Sequence, residues 1–501
     1  MTSVSPDPHP PTAELAAAHA GAILADLAAG TVTSSTLTRA ALDRMAAVDA
    51  VGSTMALRAV LAVDPAAMAM ADQLDAERAA GALRGSLHGL PVLVKDNIEA
   101  IGLPATAGSL ALSGRTVVRD AVLVSRLRAA GALVLGATNL SEWANFRSPR
   151  SVSGWSAVGG LTGNPWALDR SAGGSSSGSG AAVAAGLASL AVGTETNGSI
   201  TCPAALNGVV GLKPTVGSVP TIGVVPLSSS QDVPGPLARS VLDAALLYEV
   251  LSGRSDCVAA CIPESAQCVS VGVATGWLSG DMATDAVFSE ALQVLTSVVA
   301  SIRSVAAPAA DADIGNDQVS VLLGEFVDDL NGYLVARPGR GVANMAEVIS
   351  FNIDHRTAEL GHFGQEYLEM SAASGGRAAE IYQQARKRNL TWARDVCLEP
   401  SLTGGIEVLV APAYRPAWKS DLTHGDVLSG GGEVCTPAAI LGWPLLTVPM
   451  GFVNGLPVGL SLVGRAGSEA VLLAVGHAFE KALGLVGSGA LSPSWALPTR
   501  G

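Results

Sequence analysis

The chain has 501 residues, of which 49% are hydrophobic and 15% charged, and its formal net charge is −13. This apolar content excludes a chain that is disordered by composition and suffices for a large core. The sequence contains no stripe or run rich in Lys and Arg, which argues against nucleic-acid and anionic-membrane partners. Length alone allows two or three domains, although large α/β folds often form one unit.

The beginning of the chain does not resemble a secretory signal. Its first residues, MTSVSPDPHPPTAEL, are rich in proline and lack a basic region followed by an apolar one. No stretch of about 18 strongly apolar residues occurs, and the apolar segment Ala181–Val192 is short and interrupted by Gly186. We therefore expect a cytoplasmic protein.

Cysteine usage favours free thiols in a reducing compartment over a disulfide framework. None of the six cysteines forms a CxxC pair. Cys257, Cys261 and Cys268 have a spacing that could bind a metal, but no His lies nearby. We expect neither a metal nor a cofactor. One or more disulfides among these cysteines remain an alternative. The cysteines are Cys202, Cys257, Cys261, Cys268, Cys397 and Cys435.

The first predicted elements are two helices within Thr12–Val48, where Ala and Leu recur at helical spacing. Gly30–Ser35 makes the break between them. Ser34 or Ser35 is predicted to cap the second helix.

Helices and strands then alternate, which implies βαβ units and a sheet with parallel strands. A more polar, mostly helical segment interrupts this alternation late in the chain. The predicted elements are helix Ala66–Ala80, strand Pro91–Val94, helix Asp120–Ala130, strand Leu133–Thr138, loop Asn145–Arg170, helix Ala181–Ala188, strand Ser189–Gly193, a helix start near Pro203, the helical segment Ser304–Arg394, strands Val408–Ala411 and Leu445–Met450, and helix Ser468–Leu483.

Lys95 follows the short apolar strand and is a candidate base. Its neighbours Val94 and Ile98 are apolar, so partial loss of hydration would lower its pKa towards neutrality. The alternative is an ordinary lysine paired with Asp96. The segment alone does not decide between the two.

The stretch Gly173–Gly180, GGSSSGSG, is the second candidate. Such a composition is usually a flexible linker, but here it leads directly into the predicted helix Ala181–Ala188. A nucleotide-binding loop would end in Gly-Lys-Ser/Thr, and no Lys is present. A tight turn that presents hydroxyls and backbone N–H groups at a helix start fits better.

Ser199, in the segment TETNGSITCP over residues 194–203, is the third candidate. A Ser after Gly at a strand-to-helix turn can be held out as a nucleophile. Consecutive backbone N–H groups before it can stabilise an oxyanion. Taken alone, Asn-Gly-Ser is also a common turn.

The combination of these segments resembles the amidase-signature family. The likeness extends from Thr12 to about Leu483, nearly the whole chain. The segments that carry it are 88–96 (HGLPVLVKD), 136–143 (GATNLSEW), 173–178 (GGSSSG), 208–215 (GVVGLKPT), 235–239 (GPLAR) and 444–460.

Within this family the sequence looks most like the bacterial peptide amidases. The segments that resemble this branch are 141–146 (SEWANF), 153–157 (SGWSA), 193–200 (GTETNGSI), Phe351-Asn352 and 363–366 (FGQE).

The resemblance implies an α/β/α sandwich with a central mixed sheet of about ten or eleven strands and a mostly helical insertion. We expect one domain over residues 1–501. Its parts would be N-terminal helices at 12–60, a catalytic core at 61–240, the insertion at 304–394, and sheet completion with a closing helix at 400–485.

The resemblance also implies roles for individual residues. Ser199 would be the nucleophile, and Ser175, after a cis peptide bond with Gly174, would bridge it to a neutral Lys95. Ser176 would help to orient the pair. No His is needed, and none of the seven lies in a Ser-His-Asp context.

The oxyanion hole would consist of the backbone N–H groups of Thr196, Asn197, Gly198 and Ser199. Three positions depart from the wider family pattern. Glu195 replaces an Asp, Asn197 a Gly, and Thr201 an Arg. These departures leave the catalytic trio intact and place the substrate range in doubt.

The implied activity is hydrolysis of carboxamides through an acyl-enzyme, with C-terminal amides of peptides or amino acids as substrates. Aryl acylamides and carbamates are alternatives, and so is a glutamine-dependent amidotransferase subunit. By contrast, a non-catalytic binding protein would lack the Lys or a Ser. We expect a monomer or homodimer, with Asn145–Gly160, the helical insertion and Trp418–Leu428 lining the substrate entrance.

Overall fold

The computed structural model describes residues 18–493, apart from 54, 115–116, 338–340, 427–429 and 486–489. The first six residues of the predicted N-terminal helix pair, 12–17, lie outside this range. So do the last two residues of the predicted entrance segment, 427 and 428.

Eleven of the strands in the described residues form one sheet, in the order β1-β3-β2-β8-β10-β9-β14-β15-β13-β11-β12. Two short hairpins, β4–β5 and β6–β7, stand apart from it. The strands are β1 Val60–Val63, β2 Pro91–Lys95, β3 Leu133–Thr138, β4 Trp155–Ser156, β5 Gly160–Leu161, β6 Gly163–Asn164, β7 Ala167–Ser171, β8 Leu190–Glu195, β9 Val210–Lys213, β10 Val233–Ala238, β11 Ser270–Ala274, β12 Ser301–Val305, β13 Val408–Pro412, β14 Leu445–Val453 and β15 Leu456–Gly464.

The sheet is mixed, as expected. Strand β2 pairs in parallel with both β3 and β8, and β11 pairs in parallel with β12 and β13. The other neighbours are antiparallel, including β10 between β8 and β9. The sheet therefore continues through β10, next to Arg239, and does not divide into two there.

The α-helices flank this sheet or belong to the late helical segment. They are α1 Ala20–Ala29, α2 Ser34–Arg44, α3 Ala67–Ala79, α4 Val122–Ala129, α5 Ser177–Ala184, α6 Thr201–Asn207, α7 Val241–Ser252, α8 Cys257–Ala260, α9 Met282–Thr296, α10 Ala312–Ala336, α11 Met345–Asp354, α12 Arg356–Glu359, α13 Glu366–Ala373, α14 Glu380–Thr391, α15 Glu399–Ser401, α16 Cys435–Leu441 and α17 Glu469–Leu483.

Short 3₁₀ and π turns complete the described elements. The 3₁₀ turns are Leu110–Leu112, Glu142–Asn145, Pro263–Ala266, Thr275–Trp277 and Gly376–Ala378, and the π turns are Met45–Asp49 and Trp392–Leu398. Within the described ranges, no helix combines the length and apolar character needed to cross a membrane.

Side chains alternate across the sheet and so divide the core into two layers. On β2, Val92 and Val94 pack with side chains of α1, α4, α7 and α17. Leu93, between them, packs on the opposite face with α3, α5 and α6. Both faces of β2 are therefore covered by helices, which is the expected α/β/α arrangement.

The late helical segment has an apolar cluster of its own, which reaches the loop after β3. Phe326 of α10 lies 6.3 Å from the ring of Trp143 and 6.0 Å from that of Phe146, measured between ring centroids. Leu330 and Leu368 belong to the same cluster. The insertion is thus packed against the segment that precedes the Gly/Ser stretch.

The predicted cap of α2 was wrong. Thr33, not Ser34 or Ser35, caps α2: its hydroxyl accepts a hydrogen bond from Thr36 N at 3.1 Å. The backbone N–H groups of Ser34 and Ser35 instead donate to the carboxylate of Asp75 at 2.7 and 3.0 Å. The helix thus begins one residue earlier than a cap at Ser34 would place it, and a distant carboxylate binds its first two N–H groups.

Helix α5 begins at Ser177, four residues earlier than predicted, so part of the Gly/Ser stretch is itself helical. The helix α6 also begins before Pro203, at Thr201. Loop Asn145–Arg170 contains the two short hairpins. Helix α5 tolerates its glycines because its first turn packs against backbone, where side chains would not fit.

Gly178, in that first turn, shows this constraint directly. A Cβ there would lie 2.6 Å from Asn139 N and Asn139 O, and nearer still to Ala59 O. We expect Gly178→Ala to lower the free energy of unfolding by about 1–3 kcal/mol through overpacking. Gly315→Ala is the matched control, since a Cβ at Gly315 of α10 meets nothing within 4 Å. It should raise stability by about 0.5–1 kcal/mol. Urea unfolding measures both, and equal effects would contradict the close-packing account.

Candidate active site

The geometry of the sheet brings two of the sequence segments to one edge. Strands β2 and β8 are parallel neighbours, with Val94 opposite Val192. Their carboxyl ends therefore meet, which places Lys95 beside Thr194. The loop from β7 to α5 carries Ser175, and the turn from β8 to α6 carries Ser199.

Lys95 is fully buried and makes three polar contacts. Its Nζ lies 2.7 Å from Ser175 Oγ, 2.9 Å from Thr194 Oγ1 and 3.3 Å from Thr194 O. None of the ion pairs among the described residues includes Lys95, and the carboxylate of Asp96 accepts hydrogen bonds from Thr106 instead. The alternative of an ordinary lysine paired with Asp96 is therefore wrong.

Burial lowers the pKa of Lys95 from its ordinary 10.5 to about 7, while the negative charges of Asp232 and Glu195 act in the opposite direction. A neutral amine has two hydrogens and one lone pair. Thr194 O can only accept a hydrogen bond, and Thr194 Oγ1 can both accept and donate. A neutral amine that donates its two hydrogens to these two oxygens keeps its lone pair for the hydroxyl of Ser175.

The Gly/Ser loop is fastened to both neighbouring segments. The peptide bond between Gly174 and Ser175 is cis. Ser176 Oγ donates to Thr194 O at 3.1 Å and accepts from Thr194 N at 3.2 Å. Ser176 N also donates to Ser199 O at 3.0 Å. Ser176 therefore links the lysine side of the site to the Ser199 side.

The Ser199 turn requires a glycine before the serine. Gly198 has a φ of 82°, and a Cβ there would lie 2.6 Å from the hydroxyl of Tyr414. Ser199 itself is 6% exposed. In the part of the chain that the structure describes, its hydroxyl forms no hydrogen bond with that of Ser175. Such contacts often tighten only when substrate is bound.

The backbone N–H groups of the predicted oxyanion hole are available. Within the described residues, those of Thr196, Asn197, Gly198 and Ser199 donate to no protein acceptor. The next two along the chain, of Ile200 and Thr201, are bound by the carboxylate of Glu195. Among the described residues, the turn thus leaves four consecutive N–H donors without a protein acceptor, immediately before the two that bind Glu195.

Glu195 fixes this turn. Its Oε2 accepts hydrogen bonds from Ile200 N at 2.7 Å, Thr201 N at 2.9 Å and Thr201 Oγ1 at 3.1 Å. The position where Glu replaces the Asp of the family pattern therefore supports the Ser199 turn. Cys435 Sγ, at 3.5 Å from Thr201 Oγ1, lies beyond it.

Three residues around Lys95 were not singled out from the sequence. Thr194 accepts from Lys95, and Asn97 Nδ2 donates to the same Thr194 Oγ1 at 3.0 Å. Asp232 accepts from Thr196 Oγ1 at 2.6 Å. The available signal was their position: Asn97 and Thr194 lie within or beside the motif segments, and Asp232 stands three residues before the segment GPLAR.

The three segments expected at the substrate entrance do contact one another. The carboxylate of Asp426 accepts from Ser153 N at 2.9 Å and from Trp418 Nε1 at 3.1 Å. Trp155 packs edge-on against Phe363 of the insertion, with ring centroids 5.0 Å apart.

Buried charges reinforce this contact between the loop and the insertion. Arg147 Nη1 lies 2.9 Å from Glu142 Oε1 and 3.3 Å from Glu359 Oε2, and all three side chains are fully buried. Burial raises the pKa of Glu142 well above its ordinary range, against the opposing effect of Arg147.

The cysteines are free thiols, with Cys257 and Cys261 buried and Cys268 exposed. In the described ranges, no three His, Cys, Asp or Glu side chains are grouped so that they could hold a metal ion.

Comparison with known proteins finds one family and several relatives. A family model described as Amidase matches residues 36–473. The crystal structure of peptide amidase from Stenotrophomonas maltophilia is 42% identical, with a TM-score of 0.87, over 92% of this chain and 96% of that one. An amidase family protein from Bacillus anthracis is 30% identical, with a TM-score of 0.83, over 94% and 92%.

Another relative carries a different activity in its name. It is a glutamyl-tRNA(Gln) amidotransferase subunit from Symbiobacterium thermophilum, which is 34% identical over 488 residues. These residues cover 90% of this chain and 94% of that protein.

The Glu195 carboxylate accepts three hydrogen bonds from the Ser199 turn, so removal of its charge should weaken that turn. We expect Glu195→Gln to lower the free energy of unfolding by about 1–3 kcal/mol, because hydrogen bonds to a buried carboxylate are replaced by weaker ones. The exposed Glu290→Gln on α9 should stay within about 0.5 kcal/mol of wild type. Urea unfolding of the two variants checks this, and an unchanged Glu195→Gln protein would refute it.

Proposed function

Because the chain belongs to the amidase family and is an amide-hydrolysing enzyme, we propose that Ser199, Ser175 and Lys95 carry out its reaction. The observation that carries this proposal is the 2.7 Å contact between the Nζ of a fully buried Lys95 and Ser175 Oγ. A buried lysine with its lone pair on a hydroxyl is a base placed for proton transfer.

In the first half of the reaction, Ser199 Oγ attacks the carbonyl carbon of the amide and forms a C–O bond. Its proton passes to Ser175 Oγ, and the proton of Ser175 passes to Lys95 Nζ. The C–N bond then breaks as the same relay returns a proton to the leaving nitrogen. An acyl-enzyme on Ser199 and a free amine or ammonia result.

In the second half, water attacks the acyl carbon and gives its proton to the same relay. The bond to Ser199 Oγ breaks, that oxygen regains a proton, and the carboxylic acid leaves. Lys95 ends as it began, neutral.

Negative charge on the carbonyl oxygen is stabilised by the row of free N–H groups over residues 196–199. The open donors before Ile200 support this role. Donors that are fixed in place before the reaction lower the barrier without reorganising during it. Glu195 holds the end of the row, so its contribution is to position the donors.

The proposed substrates are C-terminal carboxamides of peptides or amino acids. The 42% identity to a peptide amidase over almost the full length of both chains supports this choice. So does the helical insertion, whose Phe363 meets Trp155 beside the predicted entrance.

A glutamine-dependent amidotransferase subunit is the second candidate, supported by the 34% identity to an amidotransferase of that kind. The two differ in their need for a partner. An amidase releases ammonia from its substrate alone, whereas a subunit of this kind would pass ammonia to another protein.

We expect the purified chain to release ammonia from peptide amides without any partner, and more rapidly than from glutamine. Ser199→Ala should remain folded and lose several orders of magnitude in rate. An ammonia-release assay over peptide amides, anilides, carbamates and glutamine measures this. Retention of more than about a tenth of the activity would assign the nucleophile to another residue, and release from glutamine alone would favour the second candidate.

The role of Lys95 predicts a pH dependence. The neutral form that accepts a proton predominates above its pKa of about 7, so activity should rise with pH through that value and stay high in mildly alkaline buffer. Lys95→Ala should lose at least about 100-fold in kcat, and Lys95→Arg should do no better, because guanidinium stays protonated.

The exposed Lys387→Arg is the control and should keep the wild-type profile. An active Lys95→Arg enzyme with an unchanged pH profile would show that the site needs the charge of this residue and not its basicity.

A further inference from the structure

A small cavity lies beside Thr194, whose hydroxyl oxygen is 2.9 Å from Lys95 Nζ. It has a volume of about 10 Å³, and the polar residues in its lining are Asn97, Thr194, Thr196, Thr221 and Asp232. A volume of roughly this size is the least that one water molecule needs. We call this space the polar cavity.

The hydrogen-bonding groups around the polar cavity are incompletely used. Asn97 Oδ1 is buried and has no hydrogen-bond partner. Thr194 Oγ1 accepts from both Lys95 and Asn97, and among the described residues its own proton has no acceptor. Asp232 adds carboxylate oxygens. One donor and two acceptors therefore border the same space, a set that a single water can satisfy.

A larger pocket of about 240 Å³ adjoins the polar cavity. Thr221, Val224 and Asp232 line both spaces, and Arg119 and Tyr333 line the larger one only. We call the larger space the outer pocket. Asp232 thus stands between the buried surroundings of Lys95 and a pocket open to solvent.

We propose that one water molecule, bound by Thr194, Asn97 and Asp232 in the polar cavity, connects Lys95 to the outer pocket, and that Asp232 is a positioning residue for the protonation of Lys95. This inference rests on the proposed function of Lys95 as the base. It adds a second connection for the lysine, separate from the one through Ser175.

The proton transfer through this connection balances. The Lys95 ammonium donates a proton to Thr194 Oγ1 as the Thr194 hydroxyl gives its own proton to the water. The water in turn gives a proton to the Asp232 carboxylate, which releases it to solvent in the outer pocket. One proton leaves the lysine, and both intermediate groups end unchanged. The reverse sequence returns a proton.

The charges that face the two groups are few. Lys95 experiences the carboxylates of Asp232 and Glu195, both of which favour its charged form. Burial raises the pKa of Asp232 to about 6, and the negative charge of Asp329 acts in the same direction. Glu195 is held by Ile200 and Thr201. Asp232 is therefore a carboxylate that changes protonation near neutral pH and also lines the outer pocket.

Asp232→Asn tests this role while keeping an acceptor for Leu227 N and Ser228 N, which Asp232 binds at 2.7 and 2.9 Å. Without the negative charge the lysine loses its protonated form more readily. The acid limb of kcat/KM should therefore move to lower pH by about one unit, with substantial activity retained. Asp232→Glu, which keeps the charge, should leave the limb near its wild-type position.

Asp329→Asn is the matched control, since Asp329 lines the outer pocket but not the polar cavity. The acid limb of kcat/KM in the Asp329→Asn enzyme should stay at its wild-type pH. An unmoved limb in Asp232→Asn, or one moved to higher pH, would overturn the inference while leaving the proposed function standing. A wild-type enzyme with no limb near pH 7 would instead contradict the proposed role of Lys95 itself.

A crystal structure of the wild-type enzyme tests the site without any variant. We expect a water within about 3.2 Å of Thr194 Oγ1, Asn97 Oδ1 and an Asp232 oxygen. A well-resolved map without this water would overturn the proposal, even if the Asp232 variants fail to fold.

Discussion

The burial of Lys95 is the constraint on which the rest of the site depends. A charged ammonium is costly in a dry interior, whereas a neutral amine is tolerated if its hydrogens find acceptors. Thr194 provides two acceptors, and the hydroxyl of Ser175 is the third polar contact of the amine. The loop that carries Ser175 and the end of β8 at Thr194 both contact this one side chain. Ser176 links the Gly/Ser loop to Thr194 and to Ser199, so Lys95 and Ser199 belong to the same hydrogen-bond network.

Close approach of backbone segments explains the glycines around this network. A Cβ at Gly193 would lie 2.7 Å from Ser176 Oγ, and one at Gly198 would lie 2.6 Å from the Tyr414 hydroxyl. Gly178 meets the backbone at Asn139 in the same way. Three chain segments converge within a few ångströms, and side chains at these positions would separate them. A composition typical of flexible linkers therefore serves here to pack segments tightly.

Local patterns in the sequence predicted much of this arrangement. Strand Leu133–Thr138 and the end of β2 at Lys95 were predicted within one residue, because short apolar runs bounded by Gly and charge mark buried strands. The structure brings Lys95 and Ser175 together, with Ser199 linked to their loop through Ser176. The family resemblance supplied what the residues alone left open, namely which of several plausible turns belong to one site.

Long-range contacts set the limit of such predictions. Thr33 caps α2, and Asp75, some 40 residues away, binds the next two N–H groups. Asp232 borders the surroundings of Lys95 only because β10 lies antiparallel to β8, with Val233 opposite Glu195. Neither relation has a local signature. Local sequence patterns identify residues whose chemistry is unusual for their segment, and they miss ordinary residues that become important through pairing.

The same constraint relates the chemistry of the site to the stability of the fold. In an unfolded chain Lys95 would hold its proton up to pH 10.5, whereas in the folded protein it releases the proton near pH 7. Between these values the unfolded state binds more protons, so this group opposes folding below pH 7 and opposes it progressively less as the pH rises to 10.5. The carboxylates of Asp232 and Glu195 act against the shift. They limit how far the pKa of the lysine falls and keep it in the range where a base can both accept and return a proton. A site with fewer negative charges would hold a more firmly neutral lysine, but that lysine would be a weaker base. The two acids therefore offset part of the cost of burying Lys95 and preserve the basicity that the proposed reaction needs.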